Sequence, residues 1–182
     1  MRRFFSIAIL CISAFILLFS CNKDNSQEKL RKIELEKLDE FINIHYKDSI
    51  PKPSGLYYIE EVKGTGDSIV PGDRVQIFYS YWTNGGTDSM LVEETYGFME
   101  GFRLEPEEFQ VLPANLLSSE SATSILQTPG LHEAITYMQQ GTVANLVLPS
   151  EIAFGTGGYY IIGGFTTILM RLEVHKIYRA NQ

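Results

Sequence analysis

The chain has 182 residues, 22 acidic against 15 basic side chains, and a formal net charge of −7 with the histidines neutral. That balance excludes a nucleic-acid partner held by a basic patch, whose affinity comes from displaced counterions. Ten tyrosines, 11 phenylalanines and 15 glycines suit a sheet-rich fold with many turns.

At the N-terminus, Arg2 and Arg3 supply a short positive start. Phe4 to Phe19 is apolar except for Ser6 and Ser13, and Ser20 precedes Cys21. This order predicts a secretory signal over residues 1–20. The apolar run is about 16 residues, shorter than the roughly 20 a spanning helix needs. Leu18-Phe19-Ser20-Cys21 resembles a bacterial lipobox, in which the cysteine becomes the lipidated first residue; an uncleaved membrane helix is the competing reading. Cleavage before Cys21 removes two arginines and no acid, so the mature charge becomes −9. Cys11 would leave with the signal and Cys21 would carry lipid. The mature domain then holds no disulfide, thiol nucleophile or thiolate metal site.

Residues 22–28 read as a flexible spacer. Over residues 28–46 the positions Leu30, Ile33, Leu38, Phe41, Ile42 and His45 recur three and four apart among helix formers, which predicts an amphipathic helix. Pro51 and Pro53 end it. Its stripe either docks on the domain behind it or pairs with a second copy to make a homodimer. Residues 21–53 thus form the lipidated cysteine, spacer and helix, and 54–182 the globular domain.

Gly55 to Val62 reads as a strand and Lys63 to Asp67 as a turn. After Pro71-Gly72-Asp73, Val75 to Trp82 alternates as a half-buried strand. Asn84-Gly85-Gly86 signals a hairpin. Residues 90–108 read as irregular, Phe109 to Leu112 as a short strand and 113–128 as a loop. Gly130 to Gln140 reads as a helix stopped by Gly141. Thr142 to Leu148 is a strand, Ile152 to Gly164 a loop rich in glycine and tyrosine, and Thr166 to Ile177 the last strand. One helix laid on a curved antiparallel sheet is an α+β arrangement. His45, His132 and His175 have no metal-ligand spacing. Gly155-Thr156-Gly157-Gly158 lacks the lysine and βαβ setting of a phosphate loop.

Several segments carry a family pattern in order. They are Ser54 to Tyr58, Gly64-Thr65-Gly66, Pro71-Gly72-Asp73 with Val75 and Tyr79, Gly85 to Ser89, Gly130-Leu131 to Met138 with Gly141, Leu148-Pro149-Ser150 with Ala153-Phe154-Gly155, and the strand through Leu172 to Ile177. Together they resemble the FKBP family of peptidyl-prolyl isomerases. The resemblance implies an antiparallel half-barrel wrapped on a short helix, and a substrate pocket of Tyr79, Asp88, Phe109, Leu131, Phe154, Ile161, Ile162 and Met170. Tyr79, Asp88, Phe109 and the Ile161-Ile162 pair match the family's pocket types. Thr87, Gln127-Thr128, Leu131, Phe154 and Met170 depart from it, chiefly by losing aromatic rings and a loop hydroxyl. Two insertions, within 90–108 and 113–127, enter near the pocket rim.

The implied chemistry needs no cofactor, metal, acid, base or nucleophile. Rotation about X–Pro crosses a barrier of roughly 18–20 kcal/mol and takes tens to hundreds of seconds unaided. A dry pocket that prefers the twisted, less polar amide lowers that barrier by differential binding. Two readings follow. One is a weak isomerase, lipid-anchored in a cell envelope (at the outer membrane by preference), acting on exported or envelope proteins with X–Pro bonds. The other is a non-catalytic FKBP-like lipoprotein that binds a peptide or protein.

Overall fold

A computed structural model describes residues 21–84, 89–95 and 105–180. The signal segment 1–20 and the hairpin residues 85–88, Asp88 and Thr87 among them, lie outside the described residues.

Helix α1 spans Cys21–His45. Residues 22–28, expected as a flexible spacer, are its first turns. No glycine or proline interrupts 21–45, and a helix once nucleated extends at little cost per residue. The helix docks on the sheet. Leu38 and Ile42 are buried with Val147 and pack against Phe41, Tyr46, Tyr57, Ile59 and Leu169. One turn earlier the buried position is Glu34, not the Leu30 and Ile33 of the expected stripe, which are 46% and 39% exposed.

Among the described residues, six strands form one sheet. They are β1 (Tyr57–Val62), β2 (Arg74–Thr83), β3 (Met90–Glu94), β4 (Glu107–Gln110), β5 (Val143–Leu148) and β6 (Ile168–Tyr178). The order is β1-β5-β6-β2-β3, with β4 also on β2, and every pairing is antiparallel. Strand β3 lies inside the segment expected to be irregular. Its residues Met90 to Glu94 are largely exposed, so burial left no alternation to read.

Helix α2 (Pro129–Thr136) covers the inner face of the sheet. Leu131, Ala134, Ile135 and Met138 meet Leu56, Val75, Ile77, Tyr79, Tyr81, Leu146, Leu148, Ile168, Met170, Leu172 and Val174 in one core. The outer face carries Tyr57, Ile59, Val147 and Leu169, the set that receives α1. α2 ends at Thr136 rather than running to Gln140. The Tyr137 and Met138 amides bond back three residues to Ala134 and Ile135, a tightened last turn that drops Met138 into the core. Gly130 is required where α2 meets β5: a Cβ there would stand 2.7 Å from Leu148 Cδ2 and 2.8 Å from the Ile152 carbonyl.

The expected loop 113–128 contains three short 3₁₀ turns. Its ends are pinned by the buried His132. The Leu112 N–H donates to His132 Nδ1 at 3.0 Å, and His132 Nε2 lies 2.9 Å from the Leu126 carbonyl. With Nδ1 accepting, the ring is neutral and its Nε2–H donates to Leu126. Burial holds the ring's pKa below the ordinary 6.5, partly offset by the Leu126 carbonyl. The unfolded chain therefore binds this proton at higher pH than the folded one. The stabilisation is complete above pH 6.5 and is lost progressively as pH falls below it. We expect the melting temperature to drop between about pH 7.5 and about pH 5.5 in the native protein, and His132→Gln to flatten that drop. Equal slopes in both proteins would contradict this.

Candidate functional site

The site is built where one strand is interrupted. β3 and β4 lie end to end on the same edge of β2, with Tyr81 opposite Glu93, Ser80 opposite Glu94, and Ile77 opposite Glu107. Thr95 continues the line: its N–H donates to the Tyr79 carbonyl at 2.7 Å, and its hydroxyl oxygen accepts from the Tyr79 N–H at 2.7 Å. The described pairing along this edge of β2 thus stops at Thr95 and resumes at Glu107, opposite Ile77. A register shift between Tyr81 and Trp82 marks a bulge at Val92. Bulges re-aim side chains and often lie beside binding sites.

Alternation along β2 turns both Tyr79 and Tyr81 to the inner face, with ring centroids 6.1 Å apart. The Tyr79 hydroxyl donates to Glu93 Oε1 at 2.8 Å. Burial first, then the Glu93 hydrogen bond and charge, push the Tyr79 hydroxyl well above the usual tyrosine range. The same is true of Tyr81, where Glu93's charge and hydrogen bond again add to burial. Both phenols stay protonated: Glu93 accepts from the Tyr79 hydroxyl, and its charge bears on both. Asp88, the carboxylate implied by the resemblance, lies outside the described residues; the carboxylate that Tyr79 reaches is Glu93.

The facing wall is the segment between β5 and β6. Its tip is a tight turn in which Tyr159 and Ile162 exchange two backbone hydrogen bonds of 2.9 Å. Tyr160, at a φ of 54°, is 89% exposed, whereas Ile162 is buried. A non-glycine residue in that left-handed region costs of order 1 kcal/mol and persists only where its surroundings impose it. Phe154 is buried, and Tyr159 stacks on it with centroids 6.0 Å apart and planes 18° from parallel. The 3₁₀ turn Ser119–Ser121 braces this wall: Glu120 accepts from the Thr156 N–H at 2.8 Å and the Thr156 hydroxyl at 3.1 Å.

Between wall and strand lies a largely apolar cleft of about 200 Å³. It is lined by Tyr81, Val92, Glu93 and Tyr159 to Ile162. Of the residues implied by resemblance, Ile161 and Ile162 line it, and Tyr79 reaches it through Glu93. Leu131, Phe154 and Met170 are enclosed in the core beneath. Phe109 is partly buried and packs edge-on against His132 at 5.2 Å. Sequence reasoning missed Tyr81, Val92, Glu93, Tyr159 and Tyr160. Tyr81 was within reach, since period-two alternation puts it on the Tyr79 face. Glu93 was not, because its role depends on recognising β3. Among the described residues, no three metal-ligating side chains come together.

No protein-family model and no curated protein matches the sequence. Solved structures do match. A peptidyl-prolyl cis-trans isomerase from Pseudomonas syringae pv. tomato aligns with a TM-score of 0.61 at 20% identity, over 84% of this chain and 96% of that one. FkpA from Escherichia coli aligns with a TM-score of 0.60 at 21% identity, over 93% of this chain and 72% of that one. The fold is FKBP-like. At such identity the likeness carries the architecture, and the chemistry has to come from this chain's own residues.

The Glu93 acceptor is directly testable. Glu93→Ala should lower folding stability by about 1–3 kcal/mol, because the buried Tyr79 hydroxyl loses its partner. Glu93→Gln, which keeps an accepting oxygen, should cost clearly less. Chemical denaturation measures both, and equal, negligible effects would contradict the assignment.

Proposed function

We propose that this protein is an FKBP-type peptidyl-prolyl cis-trans isomerase, anchored by lipid on Cys21 to a bacterial membrane and acting on exported or envelope proteins with X–Pro bonds. The observation that carries the proposal is the apolar cleft between Tyr81–Glu93 and the Tyr159–Ile162 turn, on a fold shared with solved isomerases. A prolyl ring fits such a slot by desolvation. The slot's walls then favour the amide whose resonance is broken, since that state is the less polar one. The pocket differs from the family pattern at Leu131 and Phe154, which argues for slow turnover. It also carries a partial replacement: Tyr159, stacked on Phe154, lines the cleft with a phenol where the family's loop tyrosine is absent.

The anchor reading rests on Arg2 and Arg3, the apolar run to Phe19, and Ser20-Cys21. Because α1 begins at Cys21 and its docked face begins near Arg31, a lipid on Cys21 would hold the domain roughly 15 Å from the anchor at 1.5 Å per helical residue. Docking uses Leu38 and Ile42, the centre of the stripe that could otherwise pair two copies through residues 28–46.

The full-length protein in detergent should accelerate cis/trans exchange of a short X–Pro peptide, measured by exchange NMR, beyond the unaided rate of tens to hundreds of seconds. Tyr159→Phe should reduce the acceleration by about three- to tenfold, the worth of one hydrogen bond. A folded protein that leaves the exchange rate unchanged would contradict the enzyme reading and favour the peptide-binding one. For the anchor, Cys21→Ser should move the protein from the membrane to the soluble fraction. Continued membrane attachment would favour an uncleaved helix.

A further inference from the structure

One buried carboxylate has no part in the cleft. Glu34, on α1, is 3% exposed, and the residues it meets, Ser150 and Thr167, are 2% exposed each. Its Oε1 accepts from the Ser150 N–H at 2.7 Å and the Thr167 hydroxyl at 3.1 Å. Its Oε2 accepts from the Ser150 hydroxyl at 2.7 Å and from Arg31 Nη1 at 2.7 Å. Arg31 Nη2 reaches on to Glu151 at 2.6 Å. Ser150 is where the chain leaves β5 and Thr167 is where it enters β6. A single side chain from outside the domain's sheet therefore closes both roots of the segment whose tip walls the cleft.

We infer that Glu34 is a positioning residue, through which the N-terminal helix sets the geometry of the peptide-binding cleft. The inference rests on the isomerase reading only for what the cleft binds. A buried carboxylate is expensive unless every lone pair is used, and here Arg31 and three donors use them. From Ser150 the constraint passes on by contact. The Ser150 carbonyl accepts from the Ala153 N–H at 3.0 Å and the Gly155 N–H at 2.8 Å. That fixes the turn carrying Phe154, on which Tyr159 stacks. Tyr159 in turn exchanges backbone bonds with Ile162. Gly155 is boxed in from the far side, since a Cβ there would meet the Glu120 carboxylate at 2.5 Å. The wall is thus held at its base by the Glu34 knot and along its arm by Glu120 and its own backbone bonds. Leu38 and Ile42 dock on β1, β5 and β6 and not on this segment, whereas Leu30, Ile33 and Lys37 flank Glu34 and line a small cavity with Gly164 to Thr167.

Hydrogen exchange by mass spectrometry on the full-length protein separates positioning from plain stabilisation. Glu34→Gln keeps the side chain's size but puts an NH₂ donor among the donors. It should raise amide exchange across residues 153–166 by about tenfold or more while leaving β5 and β6 protected. In the isomerase assay it should raise KM for the X–Pro peptide by about three- to tenfold with a smaller change in kcat, because the wall binds but does not react. Ile42→Ala, which weakens α1 docking away from the knot, should lower the melting temperature without the local rise in exchange. Unchanged exchange at 153–166 in folded Glu34→Gln, or a rise shared equally by β5 and β6, would overturn the inference. If the native protein shows no isomerase activity, the exchange pattern still decides whether Glu34 sets the wall.

Discussion

The wall of the cleft is a long connection between two central strands with little ladder of its own, so side-chain acceptors must hold it. Most of the segment's paired backbone donors bond within its own turns, and two glutamates from outside it take the Ser150 and Thr156 amides and tie those turns to the rest of the fold. Glu34 closes its base at Ser150 and Thr167, and Glu120 grips its rising arm at Thr156. The first comes from the N-terminal helix and the second from the 3₁₀ turn Ser119–Ser121. Two elements far apart in the sequence thus each place a carboxylate on the same segment.

The opposite side of the cleft follows the same logic with the polarity reversed. Tyr79 is a buried donor that needs an acceptor, and Glu93 supplies it from the rim, with its charge beside Tyr81 as well. The carboxylate keeps two phenols protonated and fixed, leaving Val92, Tyr159 and Ile161 to provide the apolar surface. Such a slot has few polar groups, which is what favouring a twisted amide over a planar one demands.

Much of the fold was legible because burial writes itself into period. β6 alternates cleanly over its first seven residues, and the central part of α1 shows its apolar positions three and four apart. β2, read as half-buried, is buried at every position from Ile77 to Tyr81, on both faces of the sheet. The places where reading failed share a cause. β3 is exposed on most of its length, so no alternation marked it, and Glu93 went unseen with it. Glu34 looked like one more solvent-facing helix former, because nothing local distinguishes a buried glutamate from an exposed one. Its burial is decided by Ser150 and Thr167, far along the chain. The same holds for α2, whose early end reflects Met138 being drawn into the core rather than a stop at Gly141. The FKBP resemblance gave the architecture and the Ile161-Ile162 wall. It also pointed to Leu131, Phe154 and Met170, which the core encloses.

The central claim is that the working surface is the slot between Tyr81–Glu93 and Tyr159–Ile162. Titrating an X–Pro peptide into isotope-labelled full-length protein and following backbone amide shifts tests it most directly. The account predicts saturating shifts concentrated at Tyr81, Val92, Glu93 and residues 159–162, with little change along the solvent face of α1. Saturating shifts that cluster instead around Leu30, Ile33 and residues 164–167, beside the helix, would contradict it.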